Sequence, residues 1–365
     1  MVQAIESTEV EEIEIDETEE SEEREKDLIR YEISYYPTDM TLQVYHDKRK
    51  DRQLVIPDFQ RNYVWDQVQA SKLVESFLLG IPVPGVFLYK ERKTNKLLVI
   101  DGQQRILSMI RFFEGRFDER VFRLKNVHPT WEGKTYEELS EPDRYQLRDA
   151  VLRATVVQQL DPKDDSSIYH IFERLNTGGL KLNPMEIRKC VYHSSFFILI
   201  ERLNENPDWR AILGQIKPDK RLKDVELILR FLAMRENWEN YEKPMKSFLN
   251  QFMQSKKSIA EAQPDEDFEE ITTVFVSTCH KVVSSLGPKP FHLRSRLNLG
   301  VMDSVMTMVS FMPDAGTDEI SQKFEALKED KQFYLDVSYN TSDTVVVERR
   351  FDLAKEVFLG GELEG

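Results

Sequence analysis

The sequence predicts an α+β protein in two parts, a mixed strand-and-helix domain over residues 28–190 and an all-helical domain over residues 191–365. Short apolar runs bounded by Gly, Pro or Asn, the mark of strands, are confined to the first half. Apolar residues at three- and four-residue intervals, the mark of amphipathic helices, fill the second. Glycine is scarce, 14 of 365 residues, and none lies between Gly214 and Gly287. Ahead of both parts, residues 1–27 hold thirteen carboxylates against Arg24 and Lys26 and account for −11 of the net charge of −15. Such a block cannot bury enough surface to offset chain entropy and reads as a disordered, solvated tail. The alternative is a nucleic-acid mimic that folds back over a basic site.

The elements follow in order. A short helix is expected near residues 38–50, then a strand, LVIP (54–57), that stops at proline. Asp66 as N-cap, Gln69 three residues on, apolar Leu73, Val74, Phe77 and Leu78, and Gly80 at the end define a helix, with Pro82 beyond it. Two apolar arms, 86–91 and 96–100, flank the polar turn Arg92-Lys93-Thr94-Asn95 and predict a hairpin. The second arm runs through Asp101-Gly102 into the helical pattern RILSMIRFFEG, closed by Gly115. A strand at 154–158 precedes a helix over 162–176, and Asn183, Pro184 and Glu186 open the next with a capping box. Leu222, Val225, Leu229 and Leu232 mark a further helix, and others are expected at 244–256, 265–286, 299–311, 317–335 and 343–358.

Composition narrows the function classes. Two isolated cysteines, Cys190 and Cys279, exclude a disulfide scaffold, and no apolar run approaches the roughly 18–20 residues of a membrane span. The acidic start is unlike a secretory signal, so the expected location is the cytoplasm, with no membrane partner. There is no phosphate-binding P-loop and no dinucleotide fingerprint. The six histidines show no metal-ligand spacing, so no protein metal site is expected.

Three segments could carry chemistry. In KLLVIDGQQRILSMI a strand ends at Asp101, turns at Gly102 and enters a helix whose first turn holds Gln103, Gln104 and Arg105. A helix N-terminus attracts anions, Arg105 could add a bidentate phosphate contact, and Asp101 could hold a metal ion, a water or a ribose hydroxyl. The plain alternative is a tight turn with a solvated arginine. In LVIPDFQRNYVWD, Gln60 and Arg61 stand among Phe59, Tyr63 and Trp65, where a guanidinium could grip a phosphate while a ring stacks on a base. The rings could equally be core and Arg61 half of an ion pair. In IFERLNTGGLKLNPMEIRKC, capping explains Gly178, Asn183 and Pro184, but leaves Arg174, Asn176 and Thr177 without a structural reason.

Together and in this order, IPDFQRNYVW, LVESFLLGIPVPGVFLY, LLVIDGQQRILSMIRFFEG and IFERLNTGGLKLNPMEIR resemble the domain-of-unknown-function family 262. That family is the N-terminal domain of GmrSD-type, modification-dependent restriction systems and is similar to the ParB/sulfiredoxin fold. The resemblance covers roughly residues 35–235. It implies a nucleotide-binding domain, 28–190, in which the Asp-Gly-Gln-Gln-Arg motif serves nucleotide hydrolysis; here those are Asp101, Gly102, Gln103, Gln104 and Arg105. The IPxFQR motif falls on Ile56, Pro57, Phe59, Gln60 and Arg61, and the FxRLNxGG motif on Phe172, Arg174, Leu175, Asn176, Gly178 and Gly179.

The resemblance implies an NTPase of a prokaryotic defence system, with Arg105, Arg61, Gln60 and the Gly102 backbone on the phosphates. Arg174, Asn176, Thr177 and Gly178 then close over the nucleotide. Asp101 positions a metal ion or the attacking water, and Gln103 and Gln104 orient the phosphates. Magnesium is expected only as the companion of the triphosphate. The family's usual HNH nuclease motif is not found after residue 240, so either a separate nuclease subunit supplies it or the protein works alone as a nucleotide-dependent sensor or inhibitor. Two alternatives stand beside this. One is a ParB-like DNA-binding or nuclease module, which the slightly acidic body does not favour electrostatically. The other is a non-catalytic interaction subunit, for which the long helical half speaks.

Overall fold

The computed structural model describes residues 32–56, 63–92, 94–161, 183–263, 268–293 and 295–360, together with Tyr169, Ile171 and Arg174. Residues 1–27, Gln60, Arg61, Asn176, Thr177 and Gly178 lie outside that set. The chain divides into two compact units, and the second opens at Asn183 rather than after Cys190.

The first unit is built on a five-stranded sheet of order β1-β7-β3-β4-β2, with β1 Glu32–Thr41, β2 Leu54–Val55, β3 Val86–Lys90, β4 Leu97–Asp101 and β7 Val151–Asp161. β3 and β4 form the expected antiparallel hairpin, while β7 joins β3 in parallel and β2 joins β4 in parallel. Val86, Leu88, Val99, Ala154 and Val156 are buried in one cluster with Leu73, Val74 and Phe77 of α2 (Gln67–Leu78), Ile106 and Phe112 of α3 (Gln103–Phe113), and Leu147 of α4 (Glu141–Asp149). Leu42 and Tyr45 of α1 (Leu42–Lys50) complete it. Helix α2 has its capping box, Gln69 N–H donating to Asp66 Oδ1 at 2.7 Å and Asp66 N–H to Gln69 Oε1 at 3.0 Å.

Several features differ from the sequence reading. Residues 38–41, expected as helix, belong to β1, an edge strand with exposed Tyr35 and Tyr36 and with Pro37 in its middle. Its pairing to β7 across the chain decides the matter, and an edge strand tolerates the proline. Helix α4 and the small hairpin β5 (Arg116–Phe117) with β6 (Arg120–Val121) were not foreseen; α4 buries only Leu147 and so carries no apolar stripe. The helix expected over 317–335 is two, because Asp330 leaves the helical conformation (ψ 121°) and caps the second through Phe333 N–H at 2.7 Å. Of the helix expected over 162–176, the described residues Tyr169, Ile171 and Arg174 are helical.

The second unit is helical apart from one small hairpin, β8 (His292–Leu293) with β9 (Arg296–Leu297), which the all-helical expectation did not include: α5 Pro184–Val191, α6 Ser195–Leu203 and α7 Pro207–Leu213, the last two also unforeseen, then α8 Lys223–Asn237, α9 Met245–Ala262, α10 Glu269–Leu286, α11 Leu299–Ser310, α12 Thr317–Glu329, α13 Lys331–Asp336 and α14 Thr344–Leu359. Helix α11 is buried on nearly all sides, which fits its all-round apolar sequence. It also buries Asp303, which accepts from Arg230 Nε of α8 at 2.6 Å and lies 3.6 Å from the guanidinium of Arg350 on α14. One carboxylate thus joins three helices.

A single glycine sets the β4–α3 connection. Gly102 has φ +95°, and a Cβ built on it would stand 2.2 Å from Val86 Cγ1 on β3. Both conformation and space therefore demand glycine. Gly102→Ala is expected to destabilise the protein by about 3 kcal/mol in chemical denaturation, combining the left-handed strain and overpacking. In a double-mutant cycle, Val86→Ala should recover about 1 kcal/mol or more of that loss; strict additivity would contradict the steric account. In the helical unit, Asp303→Asn is expected to cost about 3 kcal/mol or more, since two buried guanidiniums lose their shared counter-charge. A denaturation midpoint unchanged from the wild type would refute it.

Candidate functional site at the β4–α3 junction

Strand β4 delivers Asp101 beside Phe87 of β3, and the left-handed Gly102 turns the chain into α3. The first helical bond is Ile106 N–H to Gly102 O at 3.0 Å, and no side chain caps this N-terminus. The positive end of the helix dipole therefore has no side-chain cap of its own. The close approach that Gly102 permits is to Val86, so the fold explains this glycine without a ligand.

Arg105 reaches back over the junction. Its Nη1 donates to the carbonyls of Pro84 at 2.6 Å and Gly85 at 2.7 Å, and its Nη2 donates to Asp101 Oδ2 at 2.8 Å. The ion pair is mostly sheltered, the side chains being 17% and 24% exposed. A planar guanidinium suits this task because its donors diverge in one plane, which an ammonium cannot reproduce. Gly85 is itself constrained, since a Cβ there would meet the Arg153 carbonyl oxygen of β7 at 2.9 Å. The turn before β3, the end of β4 and the first turn of α3 are thereby locked together.

Gln104 works on the other side. Its Oε1 accepts from the backbone N–H groups of Val64 at 3.1 Å and Trp65 at 3.3 Å. One turn on, Ser108 Oγ donates to the Gln104 carbonyl at 2.6 Å and lies 2.8 Å from the Tyr63 hydroxyl. Helix α3 thus holds the segment that directly follows Gln60 and Arg61 in the sequence. Tyr63 and Trp65 pack against the core, and the cation over the Tyr63 ring is Arg111 at 3.9 Å. Burial pushes the Tyr63 phenol up, against the opposing influence of its bond to Ser108 and of the Arg111 charge.

Asp101, Gly102, Gln103, Gln104 and Arg105 are therefore brought together, and Arg174 is an exposed helical residue elsewhere in the chain order. Sequence reasoning missed Tyr45, whose hydroxyl donates to Leu152 O at 3.0 Å and whose pKa is raised by burial, with the Arg105 charge opposing. It also missed Ser108 and the Pro84-Gly85 carbonyls. The four-residue step from Gln104 to Ser108 and the GIPVPG turn were the available signals.

Among the described residues no group of three or more His, Cys, Asp or Glu side chains converges as a metal site. Among the described residues the junction supplies one carboxylate, Asp101, which is already in an ion pair. No helix among the described residues is long and apolar enough to cross a membrane.

A family model matches residues 42–193, described as the GmrSD restriction endonuclease, N-terminal domain. No curated relative and no solved structure matches the chain. The matched stretch runs from the first residue of α1 through the β4–α3 junction to the end of α5, and so takes in every element of the site just described. Over residues 42–193, less than half of its length, the chain is similar to the GmrSD restriction endonuclease, N-terminal domain.

Proposed function

We propose that the family domain binds a nucleoside triphosphate at the β4–α3 junction and hydrolyses it slowly, as the nucleotide-dependent part of a restriction or phage-defence system. The observation that carries the reading is the uncapped N-terminus of α3, held rigidly against β3 by the Arg105 fork. A preorganised row of backbone donors at the positive end of a helix dipole is worth most where it need not reorganise on binding.

In this reading Arg105 chiefly positions the junction, and its donors not engaged with Pro84, Gly85 and Asp101 face the phosphates. Asp101 turns its second oxygen to the attacking water. Gln60 and Arg61 bind the phosphates, and Gln103 and Gln104 orient them. Arg174, Asn176, Thr177 and Gly178 close the site from the far motif. Magnesium belongs to the substrate as its counter-ion, and no step is derived through it. DNA cleavage falls to a separate HNH-type subunit.

The test is phosphate release from ATP, GTP, CTP and UTP with magnesium, alongside nucleotide affinity. Arg105→Ala is expected to weaken binding by about 2 kcal/mol, roughly thirty-fold in Kd, and to abolish turnover. Arg105→Lys should fail nearly as badly, because a point charge cannot bridge two carbonyls and a carboxylate. Wild-type turnover in either variant, or no nucleotide binding by the wild type, would remove the proposal.

A further inference from the structure

At one end of the first unit's sheet stand cations that, among the described residues, form no ion pair. The β3–β4 hairpin turns there and carries Lys90, Arg92 and Lys96. Helix α1 finishes at the same end with Lys48, Arg49 and Lys50 in its last turn, and Arg52 follows. Two backbone bonds join these elements, Gln53 N–H donating to Lys48 O at 2.8 Å and Leu97 N–H to Gln53 O at 2.8 Å. Lys48 donates to the Gln53 side-chain amide and Arg92 to the Leu160 carbonyl, both neutral acceptors. By contrast Arg105, Arg111, Arg123, Arg144 and Arg153 of the same unit each pair with a carboxylate. The acids placed at this end are Glu32, Asp47, Asp51, Glu91 and Asp161, fewer than the cations, and Asp47 and Glu91 accept from Gln43 and Thr94.

The topology sets exposed aromatic rings at this end too. On the edge strand, Tyr35 stands opposite Val157 of β7, and Val157 stands opposite Tyr89 of β3, the residue before Lys90. The register of β1 on β7 shifts between Glu32 and Ile33, leaving Leu160 without a partner, and Arg92 holds the carbonyl of that residue. The hairpin turn therefore reaches across to the start of β1. Tyr35 is 74% exposed and Tyr36 41%. As successive strand residues they present one ring on each side of the edge. From β1 to β4 is three strand spacings, about 14 Å, so rings and cations share one short stripe.

We infer that this end of the sheet binds an unpaired nucleic-acid strand, its phosphates on the cations of α1 and the β3–β4 hairpin and its bases against Tyr35 and Tyr36. Unpaired cations and exposed rings together select this occupant. An acidic polypeptide would use the charges alone, and a duplex keeps its base faces stacked on one another, out of reach of a tyrosine. The acidic balance of the whole chain does not oppose it. Charges more than about 8 Å away are largely screened at physiological salt, and counterion release depends on the cations that touch the strand. The inference goes beyond the nucleotide reading and is independent of it, since the β4–α3 junction lies at the opposite end of β4.

Fluorescence anisotropy of the full chain with a labelled oligothymidylate of about twenty nucleotides tests it. Four phosphate contacts predict that log K falls with log salt at a slope of about −3. The variant R49E, K50E, R52E, shown to be folded by circular dichroism, should bind about thirty-fold more weakly at about 0.1 M salt and flatten the slope by about 2. K96E alone should cost about five-fold. Y35A with Y36A should cost about five-fold or more and leave the slope unchanged, because a ring releases no counterion. A mixed-sequence duplex of equal length should bind at least about five-fold more weakly than the single strand, and oligouridylate within about three-fold of it, since neither contact reads the sugar. No binding by the wild type, or binding that the charge variants leave unchanged, would overturn the inference. So would a duplex that binds as tightly, tyrosine variants that bind like the wild type, a preference of about ten-fold for one sugar, or polyglutamate competing equally per charge.

Discussion

The contact of Gly102 with Val86 is the constraint on which the rest of the first unit turns. A strand that ends beside its hairpin partner and leaves at once as a helix has to cross the partner's first residue at van der Waals distance. Only a residue without Cβ permits this, and only a left-handed one gives the turn its direction. Once the crossing is made, α3 lies over the sheet with Ile106, Met109 and Phe112 in the core, and Arg105 falls within reach of the Pro84 and Gly85 carbonyls. The apolar packing and the polar lock are consequences of one backbone event.

The two units use charge in contrasting ways. At the β4–α3 junction the Asp101–Arg105 pair is sheltered but still in touch with solvent, and its guanidinium is shared with two backbone oxygens. In the helical unit the Asp303 pairings are dry, with Arg350 and Asp303 fully buried. Such a buried set is poor evidence for extra stability, since apolar residues of like volume could fill the same space. Its value lies in register: Arg230 bonds Asp303, and Arg350 comes within 3.6 Å of the same carboxylate, only when α8, α11 and α14 are correctly aligned along their axes. The same holds for Arg210, which bonds Asp224 at 2.9 Å and the Lys217 carbonyl at 3.1 Å.

Much of this was legible in the sequence wherever a local rule governs. Asp66 with Gln69 and Asn183 with Glu186 form their capping boxes where the spacing places them. The hairpin and the Asp101-Gly102 turn stand where apolar runs meet Gly and Asn. The α+β division follows from the change of period between the halves. What escaped was set by partners remote in sequence. Residues 32–41 look irregular until β7, more than a hundred residues on, offers them an edge. Helix α4 hides for the opposite reason, since one buried leucine is too weak a stripe to read. Arg105 was legible as a candidate but not as a fork, because two of its acceptors are backbone carbonyls, which no sequence pattern marks.

The helix that closes the family segment has its sockets outside that segment. Arg188 of α5 is fully buried and donates to Asn250 Oδ1 at 2.8 Å, Glu226 Oε2 at 3.0 Å and the Lys246 carbonyl at 3.3 Å, all beyond residue 193. Its neighbour Glu186 is held by Arg221, and Asn183 by the Arg221 carbonyl. The family boundary and the folding boundary therefore differ by one helix. Recombination that exchanged the family segment between proteins would have to carry over acceptors for a buried guanidinium, so its inheritance is coupled to whatever helical array follows it.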